Sequence, residues 1–272
     1  MTDSYAVIGN PIAHSKSPQI HAAFAAQTAQ DMGYKILFCE RGAFCATVAQ
    51  FREAGGKGMN VTLPFKHEAY DLATQRSVRA QQAGAVNTLS FDGSQVIGDN
   101  TDGAGLLRDI IGNLRFDVRD KRVLLLGAGG ASFGVVGPLL AHAIAQLTIA
   151  NRTVSKADEL RARFARSPVV DSCGYDALAG RQFDLVINAT SAGLADAMPP
   201  LPDTVFAAGA LAYDMVYGKV TPFLAFAQAR RVPIADGLGM LVEQAAESFY
   251  LWRGVRPHTA PVIAMLRMKA EG

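Results

Sequence analysis

Short apolar runs alternate with amphipathic stretches along the first hundred residues, and this alternation predicts an α/β fold. The apolar runs predict strands at 5–8, 34–39 and 58–62, and the amphipathic stretches predict helices at 17–29, 44–54 and 67–82. Two further strands, 85–91 and 95–98, are predicted to form a hairpin closed by Asp92-Gly93. A helix at 102–111 then leads into the second half of the chain.

The second half repeats the alternation and predicts a doubly wound parallel sheet. Its predicted strands, separated by helical stretches, are 123–126, 146–150, 183–188 and 211–214. Two last helices, 240–252 and 260–269, have no strand left to follow, so we expect them to return to the first domain. The pattern therefore predicts two lobes, with domain one at 1–102 joined by 240–272, and domain two at 103–239.

A glycine-rich turn follows the first strand of the second domain. Val123 to Gly134 reads VLLLGAGGASFG, in which Gly127 and Gly129 permit a tight turn and a close approach to a pyrophosphate at a helix N-terminus. Ser132 stands where a strict G-x-G-x-x-G needs its third glycine. Pro138 removes a helical hydrogen bond, so we expect a kink or a displaced helix start there.

The next predicted strand ends at Ala150, where an acid that binds the ribose diol is usual. This chain has Asn151 and Arg152 there instead, with Lys156 close behind. An acid would repel a 2′-phosphate, whereas an amide followed by cations attracts one. The sequence therefore predicts NADP(H) as the cofactor, in preference to NAD(H).

Composition excludes several classes of protein. The net charge is +2 and no basic run interleaves with aromatics, which argues against a nucleic-acid partner. Residues 123–151 contain no Asp, Glu, Lys or Arg, but their five glycines and one proline favour a buried strand, turn, helix and strand over a membrane span. Three cysteines without metal spacing and no signal peptide indicate a cytoplasmic protein. The five scattered histidines are predicted to be surface or capping residues, and no metal site is expected.

Polar side chains lie at or near the ends of several predicted strands of the first domain. Asn60, Thr62 and Lys66 lie at the carboxyl end of one strand and just beyond it, Asn87 lies in the stretch 84–88, and Asp102 follows the hairpin. Ligands in α/β sheets bind outside the carboxyl ends of strands, so we expect these groups to converge on one pocket.

Each of these groups also has an ordinary structural interpretation. Asp102 and Ser17 suit helix N-caps, and Lys66 suits a solvated loop. Asn60 and Asn87 suit turns at strand ends, and Gln244, on an apolar helical face, suits a cap for a neighbouring loop.

These motifs occur together in one known family. The stretches that carry the resemblance are 5–18 (YAVIGNPIAHSKSP), 60–66 (NVTLPFK), 83–88, 98–103 (GDNTDG), 127–132, 151–153 (NRT), 188–191 (NATS), 214–217 (DMVY) and 236–244 (DGLGMLVEQ). Taken in this order, these stretches span nearly the whole chain. On these motifs, the chain resembles the shikimate dehydrogenase family. The resemblance implies NADPH-dependent reduction of 3-dehydroshikimate in chorismate and aromatic amino-acid biosynthesis. It also makes domain one the substrate-binding domain and domain two the Rossmann-type NADP-binding domain.

The resemblance also implies roles for individual residues. Lys66 and Asp102 would be catalytic, with Lys66 giving a proton to the developing alkoxide and Asp102 orienting it. The residues implied to bind substrate are Ser15, Ser17, Asn60, Thr62, Lys66, Asn87, Asp102, Tyr217 and Gln244. Those implied to bind the cofactor are Gly127, Ala128, Gly129, Gly130, Ala131, Asn151, Arg152, Thr153, Lys156, Thr190, Met215 and Gly237.

Two other functions are compatible with the motifs. One is a quinate/shikimate dehydrogenase of dual specificity, against which Asn151-Arg152 argues because an acid there would favour NAD. The other is a metabolite-binding module without catalysis, which has no need of both Lys66 and Asp102. The expected partners are small molecules, with no nucleic acid or membrane, and the chain is expected to be a monomer or a homodimer.

Overall fold

The computed structural model describes residues 2–190, 192 and 197–271, the last three of these by their backbone only. The chain divides into two compact units. The first contains the chain up to Gly105 and again from Leu241 onward, and the second contains Leu106–Met240. Ser191, part of one motif noted above, lies outside the described residues.

The first unit is built on a six-stranded mixed sheet with strand order β2-β1-β3-β5-β6-β4. The strands are β1 (Asp3–Gly9), β2 (Met32–Phe38), β3 (Gly56–Val61), β4 (Gln75–Arg76), β5 (Thr88–Asp92) and β6 (Gln95–Asp99). The helices are α1 (Ser17–Thr28), α2 (Phe44–Glu53), α3 (Lys66–Leu72), α4 (Val78–Ala83) and α5 (Asp102–Leu107). The parallel neighbours β1 and β3 end side by side, so the segments that follow them start at one edge of the sheet.

The second unit is a six-stranded, wholly parallel sheet with strand order β12-β11-β10-β7-β8-β9. The strands are β7 (Arg122–Leu126), β8 (Gln146–Ala150), β9 (Val170–Cys173), β10 (Phe183–Asn188), β11 (Phe206–Asp214) and β12 (Ile234–Ala235), and the helices are α6 (Gly130–Leu140), α7 (Val154–Ala162) and α8 (Pro222–Gln228). This is the strand order of dinucleotide-binding folds, with the topological switch point between β7 and β10. The last helices are α9 (Leu238–Arg253) and α10 (Ala260–Glu271).

The central strand β7 is buried on both faces, as its uninterrupted apolar run predicts. Val123 and Leu125 belong to one core cluster, whereas Leu124 and Leu126 belong to the cluster on the other face. The α/β class and the parallel sheet of the second unit are therefore confirmed. Among the described residues, no helix is long and apolar enough to cross a membrane.

Several predicted elements of the first unit were wrong in detail. The single helix at 67–82 is instead α3, the short strand β4 and α4, because Gln75–Arg76 pair with β6. Ser77 then caps α4 by accepting the N–H of Ala80 at 3.1 Å. In the hairpin, Asp92 pairs with Gln95, so Gly93-Ser94 forms the turn and Gly93 takes φ +54°.

The helix predicted at 102–111 changes character along its length. It is α-helical only as α5 and continues as a π-helical turn over Arg108–Asn113. In the second unit, β9 had not been predicted, because its sequence, VDSC, lacks an apolar run. Of the two alternatives predicted for Pro138, the displaced helix start is wrong, since α6 starts at Gly130 and includes that proline near its end, and the kink stays a prediction.

His21 contradicts the prediction that the histidines are surface or capping residues. Its side chain is wholly buried in the first unit and stacks on Tyr34, with ring centroids 4.2 Å apart. The rings of Phe249 and Trp252 from α9 also pack on it. Burial lowers the pKa of His21 to about 3, and the neighbouring Asn60 offsets this only in part. His21 is therefore a neutral member of an aromatic core.

Candidate active site

The ammonium group of Lys66 and the carboxylate of Asp102 form an ion pair in the first unit. Nζ lies 2.5 Å from Oδ2, and the side chains are only 19% and 10% exposed. Lys66 is the first residue of α3 and Asp102 is the first residue of α5. Lys66 is thus not a solvated loop lysine. Because the Asp102 carboxylate bonds Lys66 and Asn87, the interpretation of Asp102 as a helix cap is wrong as well.

Asn87 holds the second oxygen of the Asp102 carboxylate. Its Nδ2 donates to Asp102 Oδ1 at 2.8 Å, and its Oδ1 accepts the backbone N–H of Thr101 at 2.9 Å. A backbone N–H can only donate, so it fixes which end of the Asn87 amide faces the carboxylate. Asn87 therefore orients Asp102 and is more than a turn residue.

Gln244 joins the same cluster from α9. Its Oε1 lies 3.5 Å from Asn87 Nδ2 and 3.4 Å from Thr101 Oγ1, and its Nε2 donates to Leu241 O at 2.8 Å. Helices α5 and α9 approach so closely that a Cβ at Gly105 would lie 2.6 Å from the Gln244 nitrogen. Nothing in the sequence indicates that glycine is needed at position 105, because the residue that leaves no room for a side chain there, Gln244, is 139 positions away along the chain.

Asn60 is buried, and both ends of its side-chain amide are hydrogen-bonded to the protein. Its Oδ1 accepts from the Tyr34 hydroxyl at 2.7 Å, and its Nδ2 donates to Ser248 Oγ at 2.9 Å and Thr88 Oγ1 at 3.2 Å. Burial raises the pKa of Tyr34 well above its usual value, so the phenol stays a donor. These contacts fit a supporting role for Asn60 better than a direct contact with substrate.

Tyr34, Thr88, Thr101 and Ser248 are functional neighbours that sequence reasoning missed. All four are hydrogen-bonded to Asn60, Asn87 or Gln244. One signal was available: Ser248 follows Gln244 by four positions, which places both on one face of a helix. Tyr34 is a strand residue without a distinguishing pattern. Thr88 and Thr101 lie within the motif stretches 83–88 and 98–103, but no periodicity distinguished them from their neighbours.

Ser15, Ser17 and Thr62 follow β1 and β3 at the same edge of the sheet. Ser15 Oγ accepts the Ser17 N–H at 3.3 Å, and a Cβ at Gly9 would lie 2.5 Å from the Thr62 methyl group. The structure contradicts Ser17 as an N-cap, since Lys16 occupies that position and Ser17 is already helical. Tyr217 belongs to the second unit, and burial raises the pKa of its phenol.

The glycine turn of the second unit lies at the switch point of its sheet. Gly127 follows β7 directly and takes φ +100°, which favours glycine. Ser132 is buried and donates its hydroxyl to the Gly127 carbonyl at 2.8 Å, which ties the turn to α6. A Cβ at Gly129 or Gly130 would meet nothing within 4 Å, so space is open above the start of α6. Ala128 and Ala131 complete the turn.

The basic turn lies after β8, as predicted. Asn151 Nδ2 donates to Thr153 O at 2.8 Å, and Asn151 N–H donates to Cys173 O at 3.1 Å. Arg152 and Lys156 are exposed around the first turn of α7. Two cations at a helix N-terminus, with no acid in the turn, suit a phosphate ester.

Thr190, Met215 and Gly237 follow β10, β11 and β12 in the same unit. A Cβ at Gly127 would lie 3.0 Å from the Thr190 methyl group, and one at Gly237 would lie 2.2 Å from Met215 O. The structure thus groups the predicted nucleotide contacts at the carboxyl edge of the second sheet. No cluster of three or more potential metal ligands occurs in the part of the chain that the structure describes.

A parallel sheet of this order, a glycine turn at its switch point and a basic turn after its second strand define a dinucleotide-binding unit. Family models match three parts of the chain: the shikimate dehydrogenase substrate binding domain at residues 7–89, shikimate / quinate 5-dehydrogenase at 109–195, and the shikimate 5'-dehydrogenase C-terminal domain at 237–267. The chain belongs to the shikimate dehydrogenase family.

Individual relatives match nearly the full length of the chain. Shikimate dehydrogenase (NADP(+)) of Dechloromonas aromatica is 60% identical over 99% of both chains, and that of Nitrosospira multiformis is 59% identical over 98% of both. Among solved structures, an Ael1 enzyme from Pseudomonas putida is 50% identical with TM-score 0.93, over 97% of this chain and 98% of that one. Shikimate 5-dehydrogenase of Thermus thermophilus, in complex with NADP(H) and shikimate, is 31% identical with TM-score 0.88, over 98% and 99%.

Proposed function

We propose that this protein is an NADP-dependent shikimate dehydrogenase that reversibly reduces 3-dehydroshikimate to shikimate. The observation that carries the proposal is the Lys66–Asp102 ion pair, with Nζ 2.5 Å from Oδ2 and Asn87 on the other oxygen. Family membership and relatives named for this activity support it. A module that only binds the metabolite has no need of such a pair.

Lys66 is the proton donor in the proposed reaction. NADPH, when bound, supplies the hydride that reduces the ketone carbon. The carbonyl oxygen gains negative charge as the carbon–oxygen double bond opens, and the Lys66 ammonium gives it a proton. Asp102 holds that ammonium in place and also accepts a hydrogen bond from the neighbouring hydroxyl of the substrate. In the oxidative direction, neutral Lys66 takes the proton back.

The remaining substrate contacts are proposed around this pair. Ser15, Ser17 and Thr62 hold the carboxylate of the substrate, since hydroxyl donors suit an anion of this size, and Tyr217 of the second unit stays a predicted substrate contact. Asn87 and Gln244 contact its ring hydroxyls. Asn60 has a supporting role, because its amide already bonds Tyr34, Thr88 and Ser248.

The second unit has the features that a phosphorylated dinucleotide requires. The open space at Gly129 and Gly130 admits a pyrophosphate to the N-terminus of α6. Arg152, with Asn151, Thr153 and Lys156, binds the 2′-phosphate that distinguishes NADP(H). Thr190, Met215 and Gly237 lie along the same edge and are assigned to the nicotinamide half. The first unit therefore binds substrate and the second binds NADP(H).

One spectrophotometric assay tests the proposal. Oxidation is followed at 340 nm with shikimate or quinate as substrate and NADP⁺ or NAD⁺ as cofactor. We expect turnover with shikimate and NADP⁺ and little with the other pairs. Comparable turnover of quinate would establish the dual-specificity alternative, whose name one of the matching family models bears. Binding without turnover would leave only the non-catalytic alternative.

The cellular setting is proposed on narrower grounds. Cys39, Cys45 and Cys173 are all free thiols, which is usual in a reducing compartment. We therefore place the enzyme in the cytoplasm, with small molecules as its partners, as a monomer or a homodimer. Size-exclusion chromatography with light scattering distinguishes the two oligomeric states.

A further inference from the structure

A buried carboxylate, Asp214, lies between two turns that carry proposed nucleotide contacts. Asp214 is the last residue of β11 and is paired in register with Asn188, the last residue of β10. Both side chains have no exposed surface. Burying a carboxylate is costly unless it is well hydrogen-bonded, so its bonding partners show what it holds in place.

Three donors surround the Asp214 carboxylate. Oδ2 accepts from Asn188 Nδ2 at 3.0 Å and from the Thr221 hydroxyl at 2.6 Å, and Oδ1 accepts the Val216 N–H at 2.9 Å. A carboxylate can only accept, so the Asn188 amide must point its nitrogen toward Asp214 and its oxygen away. Asp214 therefore determines the orientation of Asn188.

The oxygen of Asn188 in turn determines the position of Thr190. Asn188 Oδ1 accepts the Thr190 hydroxyl at 2.7 Å and its N–H at 3.2 Å. The methyl group of the same threonine lies 3.0 Å from where a Cβ on Gly127 would be. The orientation that Asp214 imposes thus holds Thr190 against the glycine turn.

On its other side, Asp214 closes the turn that carries Met215. Its bond to the Val216 N–H spans that turn, and the Met215 N–H donates to Asn188 O at 3.0 Å. Gly237 N–H donates to Val216 O at 3.1 Å, which ties the segment after β12 to the same turn. Three nucleotide-contacting segments are therefore linked to one carboxylate.

We propose that Asp214 is a positioning residue for NADP(H), and that Thr221 acts with it. Asp214 acts through Asn188 and Val216 and makes no contact with the cofactor itself. The inference rests on the proposed function, because it needs the second unit to bind NADP(H). The proposal gives Asp214 and Asn188, the buried residues that end β11 and β10, a role in NADP(H) binding. A purely structural role would not require these two residues to affect NADP(H) affinity.

Asp214→Asn is the main test, because it keeps the shape of the side chain but replaces one acceptor oxygen with a donor. In either orientation of the new amide, its NH₂ faces the Val216 N–H or Asn188 Nδ2, so two donors oppose each other. We expect KM and Kd for NADPH to rise about 5- to 20-fold, while kcat at saturation changes less than about threefold. Binding is measured by NADPH fluorescence titration, and turnover by the assay above.

Asp184→Asn is the matched control. Asp184 lies near the start of the same strand β10, at the other end from Asn188, and accepts from Arg122 Nε at 3.1 Å. The hydrogen bond from Arg122 lowers the pKa of Asp184, so these two residues form an ion pair within the second unit. The control variant should lose thermal stability yet keep the Kd for NADPH within twofold.

Two substitutions of Thr221 perturb the fold less than Asp214→Asn. They test the proposed role of Asp214 if Asp214→Asn does not fold. Thr221→Val removes the hydroxyl donor and should raise the Kd for NADPH, whereas Thr221→Ser retains the donor and should restore it. Equal Kd values for all variants and wild type, with only Tm lowered, would overturn the inference. Wild-type protein that binds NADPH but does not turn over shikimate contradicts the proposed function alone.

Discussion

Lys66 Nζ lies 2.5 Å from Asp102 Oδ2, while Asn87 Nδ2 donates to the other oxygen of that carboxylate at 2.8 Å. The two charged residues are 36 positions apart and begin two different helices. A carboxylate held by two donors has little freedom to rotate, so it restricts the ammonium as well. This geometry supports the proposed role of Lys66 as the proton donor.

Replacing Lys66 with alanine should remove the group that accepts the proton in shikimate oxidation and donates it in the reverse reaction. We expect kcat for shikimate oxidation to fall by roughly 10²- to 10⁴-fold, the usual contribution of a positioned acid or base, while KM changes much less. Steady-state kinetics at 340 nm give both values. Lys57→Ala, which removes an exposed lysine of β3, is the control and should behave as wild type. Near-normal turnover in Lys66→Ala would exclude Lys66 from the mechanism.

Replacing Arg152 with alanine should weaken NADPH binding selectively. KM for NADPH should rise about tenfold, because a tenfold change is about 1.4 kcal/mol and one charge-assisted hydrogen bond to phosphate can supply that much. KM for NADH, which has no 2′-phosphate, should change little. The exposed Arg166 of the same unit offers a matched alanine variant that leaves both values unchanged. Equal losses with NADPH and NADH would show that the 2′-phosphate binds elsewhere.

Two glycines of one turn should respond differently to alanine. Gly127 takes φ +100°, and a Cβ there lies 3.0 Å from Thr190, so Gly127→Ala should lower the free energy of unfolding by about 1–3 kcal/mol. Gly129 is extended, and a Cβ there meets no protein atom within 4 Å. Gly129→Ala should therefore fold normally but raise KM for NADPH. Urea denaturation and kinetics separate the two effects; equal unfolding free energies would contradict the assignment of strain to Gly127.

His21 should make the protein less stable at mildly acidic pH. Its folded-state pKa is about 3 because the ring is buried, whereas an unfolded histidine titrates near 6.5. Below 6.5 the unfolded chain binds a proton that the folded chain does not, so stability falls as pH falls from there toward 3. The contribution lost between pH 7.5 and 5.5 is about 1.4 kcal/mol.

The variant His21→Phe keeps the stacking on Tyr34 and removes the titrating group. Urea denaturation at pH 7.5 and 5.5 should show a smaller difference between the two pH values than in wild type. His142→Gln, at an exposed position, should leave the wild-type difference unchanged. If His21→Phe keeps the full difference, another group is responsible for it.

Local patterns were sufficient to predict most of the fold. The apolar run of β7, followed at once by Gly127, predicts a buried strand and a tight turn, because both depend on neighbouring residues alone. The basic turn at Asn151-Arg152 was predicted for the same reason. The break of the helix predicted at 67–82 was missed, because the pairing of Gln75–Arg76 with β6 outweighs the local helical pattern.

Which polar residues meet was decided by the tertiary structure. The sequence presents Lys66, Asn87, Asp102 and Gln244 as separate candidates, each with an ordinary structural alternative. Only the folded chain brings Gln244 from α9 within 3.5 Å of Asn87. Only the folded chain shows why position 105 needs a glycine, since a Cβ there would collide with Gln244. Tyr34, Ser248 and Asp214 gain their roles in the same way. Hydrogen bonds act over about 3 Å in space whatever the separation along the chain, so composition and periodicity carry no record of such partners.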